Sequence, residues 1–152
     1  MTDGYETDFH QWAETQAGLL RTRSANELDW DNLAEEIESL SRSDKREIRS
    51  RLAVICEHLL KWQFQPDARS GSWPSSVREG RDKIADLVEE SPSLADYPAA
   101  HLAGPRGAYA RGRAKAADET GLRDLPVVCP WTTEQVLDDA FWPGLPWEAD
   151  EP

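Results

Sequence analysis

Between Leu33 and Trp62 the apolar residues return at nearly constant angular spacing, and this limits the chain's folds more than any other feature. Leu33, Ile37, Leu40, Ile48, Leu52, Ile55, Leu59 and Trp62 keep a mean step of about 3.6 residues when Asp44 fills the one gap, and Trp30 starts the same line. The phase survives Ser41-Arg42-Ser43-Asp44, so the pattern predicts one helix of about 35 residues and about 50 Å. The alternative is a break at Ser41–Ser43, where Ser and Asp could cap a new helix. Asp29 offers the N-cap, with Asn32 three residues on in place of the usual Glu.

The other segments are helical too. Tyr5, Phe9, Trp12, Gln16 and Leu19 line one face of a first helix ending near Arg21. Pro66 and Gly71 interrupt the chain after the long helix. Ser72 can then cap a third, with Trp73, Val77, Ile84, Leu87 and Val88 on its apolar side and Ser91-Pro92 as its stop. A fourth starts between Leu94 and Pro98 and ends at Gly121. Gly104-Pro105-Arg106-Gly107 lies inside it, so a kink or two shorter helices are expected. Thr132 and Gln135 form a capping box for a short helix to about Ala140. No segment alternates as a strand does. The expected fold is all-α: an irregular helical bundle around one long central helix, with a short C-terminal helix. Residues 1–141 read as a single helical domain and 142–152 as an acidic tail containing Pro and Trp.

The order of motifs resembles a bacterial family, the domain of unknown function numbered 29. The residues that carry the likeness are Tyr5-Glu6-Thr7-Asp8-Phe9 with Trp12, Leu33 to Leu40, and His58-Leu59-Leu60-Lys61-Trp62-Gln63-Phe64-Gln65-Pro66. Trp73 with Arg78, Ser91-Pro92-Ser93-Leu94, Glu119-Thr120-Gly121-Leu122 and Cys129-Pro130 leading into Glu134 to Leu137 complete it. The resemblance implies an all-helical fold and a bacterial, cytosolic setting. It implies no reaction and carries over no catalytic residue.

A net charge of −12 disfavours general nucleic-acid binding. The charge is uneven: Glu27 to Glu38 holds six acids and no base, whereas Arg42–Arg51 and Arg106–Lys115 are locally basic. Cys56 and Cys129 read as reduced packing residues, with no zinc spacing around them. No apolar run is long enough to span a membrane, and the polar N-terminus does not resemble a signal peptide, so a cytoplasmic protein is expected.

On a helical wheel, Asp44, Glu47, Arg51 and His58 fall on or beside the apolar stripe of the long helix. They are the candidate site residues, open to two readings: a buried network that fixes helix register, or a polar ligand site doing acid–base work. Asp44 and His58 would stand about 21 Å apart on a straight helix, so any site needs residues from a second helix. Glu35 and Glu38 could share a cation, although a solvated helix face is the simpler reading, and no metal or cofactor is expected. His101 reads as a surface residue. Trp12, Trp30, Trp62 and Trp73 read as core anchors, Trp131 and Trp142 as folding back on the bundle, and Trp147 stays open. Three functions follow in order: a non-enzymatic module binding a protein partner or a second copy of itself, a small enzyme or ligand binder using the polar seam, and a nucleic-acid-associated factor.

Overall fold

The computed structural model describes residues 3–144, and among them are seven α-helices, three short 3-10 turns and no strand. The helices are α1 (Asp3–Thr7), α2 (Phe9–Arg21), α3 (Trp30–Phe64), α4 (Ser72–Glu90), α5 (Tyr97–Leu102), α6 (Ala108–Thr120) and α7 (Thr133–Leu137). The all-α expectation holds, and α3 runs unbroken for 35 residues through Ser41–Asp44. Two compact units are distinguished, Met1–Ser43 and Asp44–Pro152, and α3 supplies residues to each. Most of the expected C-terminal tail, Trp147 included, lies outside the described residues.

In the first unit the expected single N-terminal helix is two. Asp8 leaves helical geometry at φ −151° and its carboxylate accepts the Gln11 N–H at 3.0 Å, capping α2. The apolar spacing continues across this cap, so periodicity alone could not place the break. Tyr5, Phe9 and Trp12 still form an aromatic cluster, with the Tyr5 and Trp12 ring centroids 4.7 Å apart. Asp29, just before α3, is buried. Its carboxylate accepts the Trp12 indole N–H at 2.9 Å and the Asn32 amide at 2.8 Å, while its own N–H donates to Gln16 Oε1 at 2.8 Å. These donors, Asn32 first, hold the Asp29 carboxyl below its ordinary range. A buried carboxylate is tolerated here because two side-chain donors converge on its Oδ2.

One expectation about this unit is overturned. Trp30, read as a core anchor, is exposed, as are Ile37 and Leu40 of the same stripe. The partly covered flank of α3 carries Asn32, Leu33, Glu36 and Ser39, and the Tyr5 hydroxyl donates to Glu36. The packed face is thus rotated away from the centre of the apolar stripe.

In the second unit the stripe is core. Ile48, Leu52, Ile55, Leu59 and Leu60 are fully buried against Val77, Ile84 and Leu87 of α4 and Ala108, Tyr109 and Ala116 of α6. Burial stabilises each large aliphatic side chain by about 1.5–3 kcal/mol. Two glycines let the helices close up: a Cβ on Gly80 would lie 3.0 Å from Ile55 Cγ1, and one on Gly112 only 2.5 Å from the Ala53 carbonyl oxygen. The fourth predicted helix is two, α5 and α6, separated at Gly104 (φ 99°), and Gly121 closes α6 in the left-handed region at φ 76°.

The Thr132–Gln135 capping box forms as expected, but α7 stops at Leu137 rather than near Ala140. At α4 the N-cap is Gly71, with Ser72 the first helical residue. Trp131 is buried edge-on to Tyr109, and Trp142 is half-buried against Trp62 at 4.9 Å between centroids. Trp62 and Trp73 are only half-buried, and His101 is half-buried against the Tyr97 ring rather than fully at the surface.

The Gly112 contact generates a prediction. Gly112→Ala should lower stability by about 1–3 kcal/mol, because backbone atoms must move to admit the methyl group. Gly18→Ala, at an α2 position with nothing within 4 Å, should raise it by about 0.4–1 kcal/mol. Urea melts of the two variants check both signs.

Candidate functional site

The four polar candidates on α3 do not form one constellation. Arg51 Nε donates to Glu47 Oε2 at 3.2 Å, and the side chains keep 30% and 38% of their surface. Arg51 also lies 3.5 Å from Glu79 of α4. A half-exposed pair of this kind contributes about 0–1 kcal/mol. Asp44 is half-buried and makes no hydrogen bond or ion pair to them among the described residues. Nor does His58, whose Nδ1 lies 2.8 Å from the Val54 carbonyl oxygen and so carries the ring proton. Burial keeps the His58 imidazole below its ordinary pKa. Glu35 is occupied by Arg42 at 2.6 Å, and no group of three His, Cys, Asp or Glu among the described residues could hold a metal ion.

The more organised cluster involves Glu57, which did not stand out in the sequence. It lies beside Cys56 and off the apolar stripe, where a carboxylate reads as part of a solvated face. Yet Glu57 retains only 6% of its surface. Lys61, one turn on, places its ammonium 3.5 Å from Glu57 and 3.3 Å from Glu119 of α6, and 5.1 Å from the Trp73 ring centroid. The Glu57 and Glu119 side chains are themselves hydrogen-bonded. Two carboxyls in contact favour a shared proton. Burial, with the neighbouring Glu119 second, pushes Glu57 up to about 7, while the hydrogen bond from Glu57 holds Glu119 below the ordinary range. Glu57 therefore exchanges its proton near neutrality, within reach of a lysine. The i,i+4 spacing of Glu57 and Lys61 was the one sequence signal for this, and it is common on exposed helix faces.

Gly112 brings α6 close enough for the cluster to form. The same approach leaves a cleft of about 290 Å³ bounded by Ser50, Ala53, Val54 and Glu57 of α3 and Arg111, Gly112 and Lys115 of α6. Elsewhere in this unit Arg81 is buried and makes no ion pair with a carboxylate among the described residues. It donates to the carbonyls of Val136 at 2.8 Å and Phe141 at 3.0 Å, tying the segment after α6 to α4.

An all-α chain built on one long helix, with this order of motifs, defines a family rather than a reaction. The chain belongs to the family described as Domain of unknown function DUF29, whose model matches residues 4–142. No curated protein matches the chain, and no solved structure does.

The proton balance at Glu57 sets a testable pH dependence. The folded chain holds this proton more tightly than the unfolded chain does. The stability it contributes is therefore complete below the ordinary carboxyl range and is lost as pH rises towards about 7. His58, held neutral by burial, acts in the opposite direction, so a difference measurement is needed. Relative to wild type, Glu57→Gln should gain stability between about pH 5 and pH 8, by on the order of 1 kcal/mol after discounting for partial solvent access. Denaturant melts across that range that give a pH-independent difference would contradict this proton balance.

Proposed function

We propose that the protein is a non-enzymatic interaction module that pairs with a second copy of itself through the first half of α3. One observation carries this reading. Trp30, Ile37 and Leu40 are 62%, 67% and 70% exposed, on one side of a helix, with Leu33 half-buried between them. Single exposed apolar side chains are ordinary, but a row at alternating steps of three and four is the seam of a helix–helix contact. The Trp30 ring is also held in place, its indole N–H donating to the Ala25 carbonyl at 3.1 Å.

The pattern favours a second copy as the occupant. The steps from Trp30 to Leu33, Ile37 and Leu40 are three, four and three, the same read from either end. Two antiparallel copies would set Trp30 against Leu40 and Leu33 against Ile37, as a two-fold interface requires. Charge selects the same orientation. Parallel copies would align their acidic Glu27–Glu38 segments along their whole length, whereas antiparallel copies in this register overlap them only over residues 32–38 and bring Arg42 beside the partner's Glu27. A cytoplasmic setting accords with this reading, since Cys56 and Cys129 are both free thiols. No helix among the described residues is long and apolar enough to cross a membrane.

Size-exclusion chromatography with light scattering tests the proposal. At concentrations up to about 0.1 mM, a range that registers micromolar affinity, the mass should be twice 17.1 kDa. Ile37→Glu should return it to the monomer without changing the helical spectrum, because the residue is exposed. A wild-type monomer throughout that range, or a dimer indifferent to Ile37→Glu, would overturn it.

A further inference from the structure

We infer that the cleft between α3 and α6 binds a small oxyanion, gripped by Arg111 and Lys115 with the Ser50 hydroxyl and faced on its inner wall by the Glu57 carboxyl. This site lies in the second unit and does not depend on self-association. Arg111 and Lys115 are one turn apart on α6, both exposed, and both border the same cleft. They belong to the Arg106–Lys115 segment, which is basic in a chain of net charge −12. An arginine fork and a lysine point charge are the usual means of holding a sulfate, phosphate or carboxylate group. Ser50 adds a hydroxyl donor from α3. At about 290 Å³ the cleft falls at the lower end of ligand-pocket volumes, which suits a small ion better than a large molecule.

Glu57 makes the site more than two surface cations. An ionised carboxylate on that wall would repel an oxyanion, whereas a protonated one, its single O–H given to Glu119, carries no charge to oppose it. Among the described residues, the charged and titratable groups around Glu57 are Cys56, His58 and Lys61 on its own helix and Glu119, Arg111 and Lys115 on α6. Lys61 is already held between Glu57 and Glu119, whereas Arg111 and Lys115 form no ion pair among the described residues, Lys115 acting on Glu119 only at longer range. Anion binding then favours the protonated Glu57 and takes up a proton, so affinity should rise as pH falls through about 7.

The test uses sulfate, which does not titrate in this range. Calorimetric titration of the full chain at pH 6 and pH 8, with chloride as the ionic-strength control, should show saturable binding that is several-fold tighter at pH 6. Arg111→Gln with Lys115→Gln should weaken it at least about tenfold, the scale of one lost charge-assisted contact. Both side chains are exposed, so the fold should persist, as an unchanged melting curve would show. Glu57→Gln, which resembles the protonated carboxyl, should keep the binding and abolish its pH dependence. Absence of saturation, equal competition by chloride, or indifference to the double substitution would overturn the site. A pH dependence that survives Glu57→Gln would overturn the part assigned to Glu57.

Discussion

The close approach of α6 to α3 at Gly112 is the contact on which the second unit depends. A Cβ there would meet the Ala53 carbonyl oxygen at 2.5 Å and the Glu57 backbone nitrogen at 2.9 Å, so a side chain of any size would hold the two helices apart. Without one, Ala108, Tyr109 and Ala116 join the core formed by Ile48, Leu52, Ile55 and Leu59. The crossing also removes Glu57 from solvent and brings Glu119 into hydrogen-bond contact with it. The cluster around Lys61 and the cleft beside Ser50 both follow from one missing side chain.

Asp29 in the first unit and Arg81 in the second are buried polar groups held by several hydrogen bonds each. Asp29 takes two side-chain donors and gives its N–H to Gln16, which joins α2 to the start of α3 by specific bonds as well as by Trp12 packing. Arg81 meets backbone carbonyls, so the turn after α7 is secured to α4 through a charge-assisted contact. Glu57 differs from both. Its partners include a second carboxylate, which leaves its proton balance sensitive to pH near neutrality. A buried polar group of that kind is a more plausible source of function than the half-exposed Glu47–Arg51 pair, whose partners already neutralise it.

The sequence made the fold legible wherever one physical rule acted alone. Sustained 3.6-residue periodicity gave α3 its full length. Gly104, Pro105 and Gly121 marked the ends of α5 and α6 through backbone geometry, and Thr132 with Gln135 marked the start of α7 through reciprocal capping. Where two rules competed, the reading failed. At Asp8 the apolar spacing argued for continuation and the side chain for a cap, and the cap prevailed. In the first half of α3 the wheel gave the right apolar line, but packing used the neighbouring flank, so Trp30 and Ile37 were left outside. Asp44, Glu47, Arg51 and His58 shared a helix face, as read, but shared no partner. Glu57 was illegible because its burial comes from Gly112, 55 residues later, and no local pattern encodes that contact.

What unites the core, the cluster and the cleft is that the α3–α6 crossing raises the Glu57 carboxyl to about 7, so that it exchanges its proton near neutral pH. Carbon-detected NMR titration of the Glu57 side-chain carboxyl, in the full chain with selectively labelled glutamate, addresses it directly. The midpoint should fall at about 7, shifted upward when the neighbouring Glu119 is ionised. A midpoint near 4.5, the ordinary value for a glutamate, would show that solvent reaches the carboxyl freely and would contradict the account.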